Sequence, residues 1–144
     1  MPTVNSILAR KGTVVHSVSV TASVLEAARV MNQQGIGGVV VYEGGDLAGI
    51  FTERDILRRV VAEQKDPATT PVRDVMTSPV RSCTNSSTLD ECMSVMTQHR
   101  VRHLPVVDEQ GVCGIVTSGD ILAYQVGEQE DTIQHLNSYI HDLR

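Results

Sequence analysis

Aromatic residues are almost missing from this chain: one Phe, three Tyr and no Trp in 144 residues. A core must then be built from Val, Ile, Leu, Ala and Met, and recognition of single-stranded nucleic acid by stacking on aromatic side chains is disfavoured. Basic residues are also scarce, 12 against 17 acidic, leaving a net charge of −5. General attraction to nucleic acid or to an anionic membrane is therefore not expected, and any anion must be met by local basic groups. Cysteine is limited to Cys83, Cys92 and Cys113, without a CxxC and at positions that look apolar, so they read as small buried hydrophobes. No stretch nears the roughly 20 apolar residues of a membrane span, and no apolar run of signal length opens the chain. A reducing, cytoplasmic setting is the expectation. The five His residues show neither H-x-x-x-H nor HExxH spacing, no acid pair or oxyanion motif accompanies them, and neither a metal site nor an enzyme is expected.

What is present is an ordinary globular composition, 41% hydrophobic and 20% charged, and a repeat. A shift of 65 residues aligns 14–59 with 79–124 without a gap, matching Val15 with Val80, Glu26 with Glu91, Met31 with Met96, Val41 with Val106, Gly49 with Gly114, Thr52 with Thr117, and Asp55 with Asp120. Before residue 14 the spacing becomes 68, Val4–Leu8 matching Val72–Met76, which places a three-residue insertion near Ala9–Gly12. The expected organisation is a first repeat over 4–65, a linker over 66–71, a second repeat over 72–127 and a separate C-terminal helix over 128–144.

Each repeat reads as strand, helix, strand, strand, helix. The first strands are expected at Thr13–Val18 and Val80–Cys83. Helices follow at Val24–Gln34 and Leu89–His99, opened by Ser23-x-x-Glu26 and Thr88-x-x-Glu91, both capping-box patterns. Two strands joined by a hairpin come next, and second helices at Glu53–Gln64 and Gly119–Val126 close each copy. A unit of about 60 residues buries too little surface to stand alone comfortably. The fold class is α+β, two pseudo-twofold-related β-α-β-β-α repeats packed sheet to sheet, plus a C-terminal amphipathic helix striped by Ile133, Leu136, Ile140 and Leu143.

The most informative stretches are Gly49-Ile-Phe-Thr52-Glu-Arg54-Asp55 and Gly114-Ile-Val-Thr117-Ser118-Gly119-Asp120. Each is a strand turning into a helix, a natural anion seat. Thr52-x-x-Asp55 and Thr117-x-x-Asp120 have two readings that do not exclude each other. One is a helix cap; the other is a carboxylate for a ribose diol beside a hydroxyl and helix N-terminus for a phosphate. Arg102 and His103 are either a solvated basic edge or phosphate ligands in a central cleft, and the first repeat has the uncharged Gly37-Gly38 there.

This duplicated plan, the Leu104-Pro105-Val106-Val107 strand and the paired Gly-h-h-Thr-x-x-Asp turns resemble a tandem pair of cystathionine-beta-synthase (CBS) domains, the Bateman module, in its stand-alone bacterial organisation. The resemblance covers the chain to about residue 126. It implies a regulatory module that binds an adenosine nucleotide (AMP foremost among AMP, ADP and ATP, with NAD(H) as the alternative) and signals to an effector protein. It also implies a homodimer through the helices, for which the faces over Val24–Met31 and Leu89–Met96 and the tail are candidates. Carried over, one pocket combines Thr52, Arg54 and Asp55 with Val80, Arg81 and Val101 against the adenine. The other combines Thr117, Ser118 and Asp120 with Thr13, His16 and Ile36. Arg102 and His103 serve phosphates. Arg54, matched by Gly119, makes the Asp55 pocket the expected better phosphate site. The alternative is a scaffold homodimer that binds no ligand and uses both turns only as helix caps.

Overall fold

The structure, a computed structural model, describes residues 1–142. Helix α1 spans Val4–Lys11, strand β1 Ser17–Ser19, helix α2 Val24–Gln34, strand β2 Gly38–Glu43 and strand β3 Asp46–Thr52. A single α-turn, α3 (Glu53–Asp55), runs on into a wider turn over Ile56–Val61. A short 3-10 turn at Val72–Asp74 leads to α4 (Leu89–His99), β4 (His103–Asp108), β5 (Gly111–Thr117) and α5 (Ser118–Asp142). No helix among the described residues is long and apolar enough to cross a membrane.

Local chemistry accounts for the starts and stops. Ser23 Oγ accepts from the Glu26 N–H at 3.1 Å and Thr88 Oγ1 from the Glu91 N–H at 3.1 Å, so the hydroxyl half of each predicted capping box forms. Gly35 ends α2 in the left-handed conformation (φ 64°), and Arg100 ends α4 the same way (φ 55°).

In the first sheet β1 lies parallel to β2 and β2 antiparallel to β3; the second sheet pairs β4 with β5. Both hairpins shift register at equivalent places, Val41/Tyr42 and Val106/Val107. The expected first strands are shorter than predicted, and the second is reduced to one parallel bridge between Cys83 and Val106. Pro105 supplies the reason. Its counterpart Val40 donates its N–H to the His16 carbonyl at 3.1 Å, whereas Pro105 has no N–H to offer Arg81.

The core is exchanged between the repeats. One apolar cluster joins Val20, Val24, Ala27, Met31, Val39, Val41, Phe51 and Val60 of the first repeat with Val72 and Val75. The other joins Leu89, Cys92, Met96, Leu104, Val106, Val116 and Ile121 of the second with Val4, Ile7 and Leu8. Each repeat's leading segment thus completes the other's core. Gly49 and Gly114 make room for the crossings. A Cβ on Gly49 would lie 2.5 Å from Met76 Sδ, and one on Gly114 would lie 2.9 Å from Leu8 Cδ1. Leu8 and Met76 are the pair matched at the 68-residue spacing.

Two expectations are corrected. The C-terminal helix is not separate: α5 runs from Ser118 through Gly127 to Asp142 without a break. Glycine in a helix interior costs only about 1 kcal/mol and does not end one by itself. Ile133 and Leu136 are exposed on it; the side chain of Ile140 and the whole of Leu143 lie outside the described residues. The faces of α2 and α4 proposed for dimer contacts are instead spent inside, since Val24, Ala27, Met31, Leu89, Cys92 and Met96 are all buried. Cys83 and Cys92 are buried and Cys113 half-buried, and burial pushes the Cys83 thiol up to about 12.

Candidate functional site

The two strand-to-helix turns form full capping boxes. At the first, the Thr52 N–H donates to Asp55 Oδ2 at 3.1 Å and the Asp55 N–H to Thr52 Oγ1 at 3.3 Å. At the second, the Thr117 N–H donates to Asp120 Oδ2 at 2.9 Å and the Asp120 N–H to Thr117 Oγ1 at 3.0 Å. The start of each closing helix is also tied to the entry of its own repeat's central strand. Glu53 N–H reaches the Gly37 carbonyl at 2.9 Å, and Ser118 N–H the Arg102 carbonyl at 3.0 Å. The turns lie at the seam between repeats, where β3 meets β5 and residues of both repeats line the same clefts.

The carboxylates differ in what else they hold. Asp55 is 6% exposed. Thr77 Oγ1 donates to both its oxygens at 3.1 and 3.2 Å, and Arg59 Nε lies 3.8 Å from Oδ1. Asp120 is half-buried and takes Lys11 Nζ at 2.7 Å. Thr77 and Lys11 come from the exchanged leading segments, so each Asp is contacted from the other repeat's approach.

Two clefts flank this seam. The first, about 90 Å³, is lined by Thr52, Arg54, Asp55, Val101, Arg102 and His103, together with Thr77 and Arg100. Val80 and Arg81 do not line it. The second, about 580 Å³, is lined by His16, Ile36, Thr117, Ser118, Asp120, Arg102 and His103, with Lys11, Val14 and Glu53. Thr13 does not line it; its neighbours Gly12 and Val14 do. Small-molecule sites commonly enclose about 300–1,000 Å³, and only the second cleft is in that range. Arg54 Nη1 donates to the Arg100 carbonyl at 3.3 Å, which draws the guanidinium toward the end of α4.

Arg102, His103 and Glu53 border both clefts. The His103 ring lies close over β2: a Cβ on Gly38 would sit 3.1 Å from His103 Cδ2, so the imidazole of the second repeat has room because its counterpart in the first is glycine. Burial, and then the Lys11 ammonium, hold the His103 pKa below its usual 6.5, against the opposing pull of Glu53 and Asp120; Arg102 lowers it further. The unfolded chain therefore binds a proton at His103 before the folded chain does. This part of the stability is intact above pH 6.5 and is lost as the pH falls through the folded value. Denaturant melts between pH 7.5 and 5.5 should show a smaller acid loss for His103→Gln than for the parent; an unchanged pH slope would refute the assignment.

Three lining residues were not singled out from the sequence, two of them because they fall outside the repeat alignment. Lys11 sits in the insertion that breaks it, Thr77 is carried by the crossing segment, and Glu53 reads as an ordinary first-turn acid.

An interlocked pair of α+β repeats with a mixed-charge cleft on their pseudo-twofold seam is the architecture of a tandem two-repeat regulatory module. The CBS domain model matches residues 10–62 and 72–127, and the chain belongs to the CBS domain family. It is 36% identical over 123 residues to the mitochondrial CBS domain-containing protein CBSX3 of Arabidopsis thaliana, a match covering 82% of this chain and 60% of that protein. It is 37% identical over 117 residues to the CBS domain-containing protein YhcV of Bacillus subtilis, covering 81% of this chain and 83% of that one. A CBS-domain protein of Burkholderia ambifaria superposes with a TM-score of 0.85 at 39% identity, over 88% of this chain and 96% of its own. The CBS domain pair of protein MJ0100, solved with 5'-methylthioadenosine and S-adenosyl-L-methionine, superposes with a TM-score of 0.79 at 27% identity, over 89% and 98%.

Proposed function

We propose that this chain is a regulatory module, without catalysis of its own, that takes an adenosine-containing ligand in the larger cleft and passes its occupancy to a partner protein. The observation that carries the reading is the composition of that cleft. Asp120 offers a carboxylate at a helix N-terminus, Val14 (72% exposed) and Ile36 offer apolar surface to a base, and Lys11, Arg102 and His103 offer donors to a phosphate. The adenosine ligands of the MJ0100 pair support the class of ligand. AMP is the first candidate, with ADP, ATP and NAD(H) behind it. The expectation that the Asp55 pocket is the better phosphate site is not carried forward, because Asp55 is buried and committed to Thr52 and Thr77.

Because the cleft is made from both repeats, a ligand ties them together. The free energy available to a partner is the ligand's preference for one arrangement of the repeats over another. The closing helices also expose apolar residues at matched positions, Leu57 and Leu122 at 62% each, Val61 at 60% and Val126 at 43%. These four form the contact of the proposed homodimer, in place of α2 and α4. Sedimentation should return twice the chain mass, and Leu57→Lys with Leu122→Lys should return a monomer.

Thermal melts against AMP, ADP, ATP, NAD and adenosine test the ligand reading. A ligand at 100 times its dissociation constant adds about 2.7 kcal/mol, which for a chain of this size is a rise of about 5–10 °C. No shift with any adenosine compound would leave the scaffold reading standing.

A further inference from the structure

Lys11 in the second cleft does the work that Thr77 does in the first. In the first repeat the Thr77 N–H donates to the Ile50 carbonyl at 2.8 Å, and Thr77 Oγ1 donates to Asp55. In the second, the carbonyl of Ile115 and the carboxylate of Asp120 stand 65 residues on from Ile50 and Asp55. Both are served by one ammonium: Lys11 Nζ donates to the Ile115 carbonyl at 3.0 Å and to Asp120 Oδ2 at 2.7 Å. The two solutions differ in what it takes to undo them. Thr77 is fixed by its main chain, since the Ile50 N–H also returns a bond to its carbonyl at 3.0 Å. Turning the Thr77 hydroxyl away would leave that bridged segment in place over Asp55, which is 6% exposed. Lys11 holds Asp120 only through a flexible four-carbon stem with its side chain 33% exposed, and it can swing away with every backbone bond intact.

We propose that Lys11 makes the Asp120 cleft selective for phosphorylated adenosine ligands. A ribose diol that takes the Asp120 oxygens displaces the ammonium, and the displaced ammonium pairs with the ligand phosphate. The charge of the cleft requires such a partner. Its acidic and basic lining residues other than histidine are Lys11 and Arg102 against Glu53 and Asp120, a balance of zero. Without Lys11 the lining is net negative and opposes a phosphate. An adenosine without phosphate gains nothing from the ammonium and must only compete with it. The proposal rests on the adenosine reading above and assigns this residue's part in it.

Calorimetry on the full chain with AMP and with adenosine tests it, using the parent, Lys11→Met and Lys11→Arg. The parent should bind AMP at least about ten-fold more tightly than adenosine, the difference of roughly one charge-assisted bond. Lys11→Met should weaken AMP by about ten-fold or more and tighten adenosine, so that the two affinities converge or cross. Lys11→Arg should keep the preference for AMP. Equal affinities in the parent, or a Lys11→Met effect that is the same for both ligands or nil, would overturn the role of Lys11 while leaving the adenosine reading intact. A parent that binds neither ligand overturns both. The pair joins partly exposed groups, so Lys11→Met should still melt cooperatively within a few degrees of the parent.

Discussion

Asp55→Ala is expected to lower stability by about 2–4 kcal/mol, while its repeat-mate Asp120→Ala lowers it by about 1–2 kcal/mol and removes ligand binding. The same motif gives two different outcomes because the carboxylates have different surroundings. Alanine at 55 leaves the half-buried Thr52 N–H and Thr77 hydroxyl without the acceptor they share, at the wall of the small first cleft. Each unsatisfied donor costs about 1–3 kcal/mol, partly relieved as the cap relaxes. Alanine at 120 removes a cap and a partly exposed ion pair with Lys11, which is worth at most about 1 kcal/mol. In ligand binding the order reverses. Two bonds from a ribose diol to a carboxylate are worth about 1.5–3 kcal/mol each, so Asp120→Ala should weaken an adenosine nucleotide by about 100-fold or more. Denaturant unfolding and calorimetry on the two variants read these effects separately. Equal loss of nucleotide affinity at matched stability would refute the division between a structural and a binding aspartate.

Gly49→Ala should be the most damaging single methyl in the protein, at about 3 kcal/mol or a melting temperature lower by about 6–12 °C. The added Cβ would meet Met76 Sδ at 2.5 Å and the Thr77 carbonyl oxygen at 2.9 Å. Met76 can turn aside, but the Thr77 carbonyl is bonded to the Ile50 N–H at 3.0 Å, so the crossing segment must lift off β3 as a whole. Gly114→Ala meets only Leu8 methyls, at 2.9 and 3.0 Å, and should cost about 1–2 kcal/mol as that side chain repacks. Thermal denaturation ranks the two; a Gly114→Ala variant that melts at or below Gly49→Ala would refute the backbone contact as the cause.

Much of the fold was legible in the residues. The repeat, the helix starts at Ser23 and Thr88, and the hairpins follow from hydrophobic period, capping chemistry and turn residues, all of which act over a few positions. The strand-to-helix turns were legible as caps and as candidate ligand seats, and both capping boxes form. The unread parts have non-local causes. The shortened second strand depends on Pro105 failing a neighbour more than twenty positions away. The single long α5 depends on Gly127 being a weak breaker inside a helix already nucleated. The pocket partners Lys11 and Thr77 are unreadable because neither is aligned with the other in the repeat.

Sequence alone determined that there are two copies of one unit, that each ends a strand in a hydroxyl and a carboxylate three residues apart, and that the copies carry different charges around that turn. Tertiary structure alone decided which carboxylate is buried and which stays half-buried at a cleft. The leading segments cross between repeats, and what each delivers is a matter of where the chain arrives in space. One crossing brings a hydroxyl on a paired backbone to Asp55. The other brings an ammonium on a flexible stem to Asp120. The first segment is fixed to β3 by paired backbone bonds and keeps Asp55 buried, whereas the second reaches Asp120 only through a partly exposed side chain.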